Sequence, residues 1–166
     1  MTRLSIQLIL ADIRSAQNVG AILRTADACG IEHVYACGYT PYPAIDRDDR
    51  PPHVADANTR AIAKTALGAQ STMPITHTSD TRSAVLAARA AGYKVIVLEQ
   101  SETSLNLYQY APISNMALLL GNEVTGVSAE IMDLADTVLE LPMIGQKESL
   151  NVAVAAGIAM YQLRFG

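Results

Sequence analysis

The sequence predicts an α/β fold, a parallel sheet flanked by helices, and three observations carry that prediction. Strand-like and helix-like segments alternate along the chain. The runs 94–98, 116–120 and 137–141 are apolar almost throughout, as strands buried on both faces are. The 166 residues, half of them hydrophobic, suffice to bury a core and are few enough for one domain.

Residues 4–10 read as the first strand. From 17 to 29 the apolar positions Val19, Ile22, Leu23, Ala26 and Cys29 recur at helical spacing, and Gly30 closes the helix. Residues 34–37 read as a second strand. The segment 38–57 contains Pro41, Pro43, Pro51 and Pro52 and is expected to be irregular throughout. Loops of that length are often lids or binding segments. A helix over 58–67, a short strand over 74–77 and an alanine-rich helix over 81–91 precede the three apolar strands. The last helix is expected over 149–164, with Ser149 as its cap. It carries Ala153, Ala155, Ala156, Gly157 and Ala159 on nearly every side. A helix without a polar face is expected to pack all round, either between sheet and helices or in a subunit interface. No repeat, low-complexity tract or linker divides the chain, so 1–166 is expected to form a single domain.

The formal charge of −4 argues against a protein that holds nucleic acid mainly through a strong positive field. Arg47, Arg50, Arg60 and Lys64 fall within one stretch. They form either a modest phosphate-contacting patch or a solvated surface offset by Asp46, Asp48 and Asp49. No apolar run has the length of a membrane span, and Met1-Thr2-Arg3 lead into a strand without a signal-peptide core. A cytoplasmic protein with no membrane association is expected. Cys29 and Cys37 lack metal-ligand or redox spacing and are expected to be reduced and buried. His33, His53 and His77 are scattered, so no metal is expected. Aromatic residues are scarce, and a stacking surface would have to come from Tyr39 and Tyr42; core packing is the commoner fate of a tyrosine.

Ligands of open α/β sheets bind beyond the carboxyl ends of the strands. Three such ends are distinctive: Leu98-Glu99-Gln100, Gly121-Asn122-Glu123 with Gly126 close behind, and Pro142-Met143-Ile144-Gly145 leading to Ser149-Leu150-Asn151. Glycines there admit a ligand to the backbone, while Asn, Glu and Ser add a few directed hydrogen bonds. The pattern suits a neutral adenosine better than a pyrophosphate, and neither the dinucleotide fingerprint nor the P-loop is present.

Three stretches together carry a resemblance to a known family. Asn18-Val-Gly20-Ala-Ile-Leu-Arg24-Thr-Ala, Leu120-Gly-Asn-Glu123-Val-Thr-Gly126, and Leu141-Pro-Met-Ile-Gly145 through Ser149-Leu-Asn151-Val-Ala-Val resemble, in order and spacing, the three motifs of the SPOUT superfamily in its TrmH-like (SpoU) branch. Members of that branch are RNA ribose 2′-O-methyltransferases. The resemblance implies an α/β knot with a carboxyl-terminal trefoil, S-adenosyl-L-methionine as cofactor, and a homodimer whose site draws on both subunits. It implies that Leu98, Gly121, Asn122, Leu141, Met143, Ser149 and Leu150 hold the cofactor. Arg24, Asn18, Glu123, Ser149 and Asn151 would then act on the ribose.

Each residue has a plainer reading beside this one. Asn18 could cap the first helix. Arg24 could pair with Asp27 on the helix surface, a contact of little worth. Glu123 could be a carboxylate at the entry of a helix beginning near Ser128, and Ser149 could be only a cap. The resemblance favours the catalytic reading, in which Arg24 stabilises the developing alkoxide and fixes the neighbouring phosphate. Unlike larger members, the chain is expected to carry no accessory RNA-binding domain. Transfer RNA is the favoured substrate by analogy, with a helper protein presenting the RNA as an added expectation. Two rival readings are a methyltransferase acting on a base nitrogen and a non-catalytic RNA- or nucleotide-binding module of the same fold.

Overall fold

A computed structural model of the chain describes residues 4–166. Met1-Thr2-Arg3, on which the expected absence of an export signal rested, lie outside the described residues. The elements in order are β1 (Ile6–Ala11), α1 (Ala16–Cys29), β2 (His33–Cys37), α2 (Pro52–Ala66), α3 (Ala69–Thr72), β3 (Ile75–Thr78) and α4 (Thr81–Ala90). There follow β4 (Lys94–Leu98), β5 (Leu105–Asn106), β6 (Met116–Leu120), α5 (Ala129–Met132), β7 (Thr137–Glu140) and α6 (Val152–Phe165).

The strands form one parallel sheet in the order β3-β2-β1-β6-β4-β7-β5. The chain runs outward from β1 through β2 to β3, crosses to lay down β4, and then inserts β6 between β1 and β4. Ile6 pairs with Met116 on one side of that insertion, and Lys94 pairs with the same Met116 on the other. All five residues of β6 are buried, which accounts for their uniformly apolar character. One face of the sheet packs Leu8, Leu10, Leu118 and Leu120 against α1 and α6. The other packs Ile9, Val97 and Leu119 against Val85 and Ala88 of α4. Each such fully buried aliphatic side chain stabilises the fold by about 1.5–3 kcal/mol.

Four expectations are corrected. The segment 38–57 is not irregular to its end, because α2 starts at Pro52 with Pro51 as its N-cap. Proline is compatible with a first helical turn, where its missing N–H would have had no partner in any case. The cap of α1 is Ser15, whose hydroxyl accepts from the Asn18 N–H, so Asn18 is not the cap. The cap of α6 is Asn151, whose Oδ1 accepts from Ala153 N at 2.9 Å and Val154 N at 3.4 Å, so Ser149 lies outside the helix. Finally, α6 is not packed all round. Ala156, Ala159, Met160 and Leu163 face the core, whereas Val154, Tyr161 and Phe165 are exposed along another face.

Gly30 ends α1 in the left-handed conformation at φ 70°, which glycine adopts without penalty. Arg164 of α6 then closes that corner. Its Nε donates to Cys29 O at 3.1 Å, Nη2 to Gly30 O at 2.8 Å, and Nη1 to Leu4 O. Cys29 and Cys37 are buried free thiols. Burial, reinforced by the nearby Asp12 carboxylate, pushes the Cys37 thiol up to about 12 despite an opposing hydrogen bond with Thr81, which removes it as a nucleophile at neutral pH. Among the described residues, no helix is long and apolar enough to cross a membrane.

Candidate active site

The loops after β4, β6 and β7 enclose a cleft at the carboxyl ends of the strands. Leu98, Gly121, Asn122, Leu141, Met143, Ser149 and Leu150 all line it. These are the seven residues the sequence singled out for a cofactor. A Cβ at Gly121 would lie 2.5 Å from Val127 Cγ2 and 2.7 Å from the Gly126 carbonyl carbon, so the loop cannot close around any larger residue. Gly126 has φ 67°, and a Cβ there would meet Glu99 Oε2 at 2.5 Å. Glu99 braces the same loop by accepting from Val127 N at 3.2 Å, while its other oxygen accepts from the neighbouring Gln100 N at 2.9 Å.

Asn122 lines the cleft but is 7% exposed, and its side chain is committed to the backbone and to Tyr39. Its Nδ2 donates to Asp12 O at 2.8 Å and to Tyr39 Oη at 2.6 Å. Its Oδ1 accepts from Val124 N and Thr125 N. Asn122 therefore shapes the cleft and has no free side-chain group to offer a ligand.

A second groove, lined by Arg14, Ser15, Asn18, Ser149 and Asn151 among others, shares Glu123, Ser149, Leu150 and Val152 with the first. Within it runs a chain of hydrogen bonds. Asn151 Nδ2 donates to Asn18 Oδ1 at 3.1 Å, and Asn18 Nδ2 donates to Glu123 Oε1 at 2.8 Å. Glu123 also accepts from the Arg14 N–H at 2.9 Å and the Ser15 N–H at 3.3 Å. It thus serves the start of α1, not the short helix after Ser128. Partial burial works to raise the Glu123 pKa, but the bonds from Arg14 N, Asn18 Nδ2 and Ser15 N outweigh it and hold the carboxyl below its ordinary value. Ser149 is exposed on the wall common to both grooves.

Arg24 is not brought to this cluster. It is exposed on α1 and lines a separate groove with Lys64 and Tyr161. The pairing with Asp27 is not made either, because Asp27 accepts from Thr72 Oγ1 at 3.2 Å. Arg50 is unavailable to a phosphate patch. Its Nε and Nη2 hold Asp48 at 2.9 and 2.6 Å, Nη1 and Nη2 donate to Tyr42 O and Pro43 O, and Cζ lies 3.4 Å from the Tyr42 ring centre. Tyr42 in turn stacks on His77 at 4.3 Å. Tyr42 is consequently buried, whereas Tyr39 is 63% exposed with its hydroxyl tethered to Asn122. Among the described residues, no group of three His, Cys, Asp or Glu is placed to hold a metal ion.

Sequence reasoning missed the loop after β1. Asp12 stands there in the left-handed region at φ 55°, and its carboxylate accepts from Tyr39 N at 3.2 Å. Arg14 and Ser15 line the second groove. The signal was available, since Asp12 to Ser15 follow a strand end just as the three distinctive loops do, but no glycine marks that corner.

Comparison with known proteins agrees with this geometry. The model of the SpoU rRNA Methylase family matches residues 50–161, a span that includes Glu123, Ser149 and Asn151 but not Asn18 or Arg24. The 23S rRNA (guanosine(2553)-2′-O)-methyltransferase RlmP of Bacillus subtilis is 34% identical over 158 residues, covering 95% of this chain and 57% of its own length. The tRNA (guanosine(18)-2′-O)-methyltransferase of Borreliella burgdorferi is 27% identical, covering 93% of this chain and 64% of its own. The crystal structure of an AdoMet-bound rRNA methyltransferase from Sinorhizobium meliloti superposes with a TM-score of 0.79 at 26% identity, covering 97% of this chain and 56% of that one. The chain thus spans about three fifths of the length of such relatives. With its parallel sheet, its strand-end cleft and a family match over more than half its residues, the chain belongs to the SpoU rRNA Methylase family.

Proposed function

We propose that this protein transfers a methyl group from S-adenosyl-L-methionine to a ribose 2′-hydroxyl of RNA, acting as one methyltransferase domain. The observation that carries the reading is the shared wall between the two grooves. A cofactor in the first cleft and a ribose in the second would meet across Glu123, Ser149 and Leu150. The relatives named above bear the same reaction in their names.

The donor set of the first cleft fits the cofactor. Its lining mixes apolar side chains with Glu99, Glu123, Glu140 and Glu148 and contains no lysine, arginine or histidine. Such a lining suits an adenosine-bearing cation and disfavours a nucleotide polyphosphate. Bound there, the cofactor supplies an electrophilic methyl carbon whose leaving group is neutral and needs no acid. Leu98, Leu141, Met143 and Leu150 would grip its apolar surface, and Gly121 would leave its backbone groups within reach.

On the acceptor side, Glu123 holds Asn18, and Asn18 takes the Asn151 amide. The three form a prealigned polar strip that would orient the ribose and exclude loose water. As a planar cation with several N–H donors, the guanidinium of Arg24 would stabilise the negative charge that develops on the 2′-oxygen. Because Arg24 lies away from this strip on its own subunit, it would have to come from a second copy. Support comes from the face of α6 where Val154, Tyr161 and Phe165 are exposed, since Tyr161 also lines the groove that holds Arg24. We infer a homodimer closed over that face, with each Arg24 completing the partner's site. The segment 141–151 passes the loop after β4, where Gln100 Nε2 donates to Glu148 O at 2.8 Å, and is proposed as the thread of the trefoil knot.

A tRNA substrate, presented in the cytoplasm with or without a helper protein, is the preferred form of the reading; an rRNA fits the same site. The test is methyl transfer from labelled S-adenosyl-L-methionine to unfractionated small RNA and to ribosomal RNA, with the products digested and their nucleosides weighed. A 2′-O-methylated nucleoside is expected and would identify its base. A methylated base would move the acceptor to a ring nitrogen, and cofactor binding without any product would favour a binding module. Mixing Arg24→Ala with Glu123→Ala subunits tests the composite site. Each variant alone is expected to be inactive, and the mixture should regain part of the activity through mixed dimers.

A further inference from the structure

We propose that Lys64 and Arg24 together form a binding site for one RNA backbone phosphodiester, in the groove where α1 and α2 meet; this rests on the RNA-methyltransferase reading above. The two helices approach closely here for a local reason. A Cβ at Gly20 would fall 2.2 Å from Thr65 Oγ1 and 2.3 Å from Ile62 O, so glycine is required for the contact. Thr65 Oγ1 donates to Gln17 O at 2.8 Å and fixes the rotation of α2 against α1. Lys64 precedes that threonine, and Arg24 lies one turn beyond Gly20, so the same contact that docks the helices puts both cations on one groove.

Neither charge is neutralised. Among the described residues the ion pairs involve Arg50, Arg82, Arg89 and Lys94, not Arg24 or Lys64. No carboxylate lines the groove, and the nearest candidate on α1, Asp27, is turned to Thr72. Arg14, Arg47, Arg60 and Lys147 also lack an ion pair among the described residues, but Arg24 and Lys64 face each other across one groove without a carboxylate in its lining, an arrangement that calls for an anion.

The chemistry of ribose identifies the anion. The 2′-oxygen and the 3′-phosphodiester are carried on adjacent carbons of the same ring. A guanidinium serving the 2′-oxygen therefore has that phosphate within reach and would be drawn to it. A second cation beside it shares the phosphate as a point charge and so frees part of the guanidinium fork for the oxygen. Lys64 is accordingly a positioning residue for the ribose 2′-hydroxyl, acting through the phosphate next to it.

The experiment measures the affinity of labelled total tRNA as a function of salt, for the wild type and for Lys64→Gln, Lys64→Arg and Arg82→Gln. Arg82 lies on α4, across the sheet, and controls for loss of one positive charge. Lys64→Gln is expected to weaken binding about five- to tenfold and to lower the salt slope by about one, with Lys64→Arg restoring most of both. Arg82→Gln should leave the slope unchanged. S-adenosyl-L-methionine affinity and thermal unfolding, read on the same samples, should not move. Wild-type RNA affinity and slope in Lys64→Gln would overturn the proposal, as would a slope that falls equally in Arg82→Gln. If the lysine effect is present while the wild type transfers no methyl group to any RNA, the enzymatic reading fails and the phosphate site stands. If the wild type does not bind RNA, both fall.

Discussion

Two irregular segments lie at the same end of the sheet and differ in how they are held. The segment from Gly38 to Pro51 is stapled from within, because Arg50 grips Asp48, the carbonyls of Tyr42 and Pro43, and the face of the Tyr42 ring. The segment after β7 has few such bonds. Ile144 is almost fully exposed, and Gln100 reaches across to a single carbonyl, that of Glu148. Yet the second segment carries Met143, Ser149, Leu150 and Asn151 into both grooves. On the proposed reading the segment that admits and releases the cofactor is the one left without internal staples, while the proline-rich one is scaffold.

Substitutions can break this contrast. Within these two segments the largest effect on activity is expected from Asn151→Ala, which removes the donor to Asn18 and should slow methyl transfer about a hundredfold. Stability should fall by only about 1 kcal/mol for the lost cap. Asn151→Ser keeps a cap and loses the reach to Asn18, so single-turnover rates and thermal melts of the two variants separate cap from strip. Next comes Arg50→Met in the stapled segment. It strands two carbonyls and a carboxylate, and calorimetry should show unfolding several degrees earlier with turnover intact; the opposite pattern would make this segment part of the active site. Gln100→Ala, which frees the segment after β7, is expected to weaken cofactor binding about threefold by titration, through the loss of one ordering hydrogen bond.

The smallest effect is a pH dependence. Glu123 has its pKa lowered on folding, so the stability it contributes is present above its ordinary value of about 4.5 and is lost as pH falls through the lower folded value. The difference in unfolding free energy between wild type and Glu123→Gln should therefore be flat from neutral pH down to about pH 5 and shrink below it. Its size should stay under about 1 kcal/mol because the carboxylate is exposed to solvent screening.

Much of the fold was legible because the sheet centre is so uniformly apolar. Strands β4 and β6 match their expected bounds to the residue, as three consecutive buried positions in β4 and five in β6 leave little choice. The edge strand β5 was missed, being two residues long with a single neighbour. The start of α2 was misread because proline was taken as a breaker where it can begin a helix. Ser149 and Asn151 are both good caps two residues apart, and only the path of the chain into α6 selects between them. The polar strip was legible as three motifs, but its joining was not. Asn18 and Glu123 meet across 105 positions of sequence, an outcome of the pairing of β1 with β6 and of no local signal. Composition likewise could not tell an apolar helix wrapped by its own chain from one with an open face.

The late insertion of β6 has a consequence for synthesis on the ribosome. Until residues 116–120 have emerged, β1 and β4 cannot pair with β6 between them, and each presents a bare apolar edge. The corner held by Arg164 waits longer still, since Leu4, Cys29 and Gly30 surrender their carbonyls to a side chain made 134 to 160 residues later. A nascent chain stalled before β6 should thus be prone to edge-to-edge aggregation and a natural client for chaperones. Translation speed through the middle of this sequence is then a determinant of yield, whatever the stability of the finished molecule.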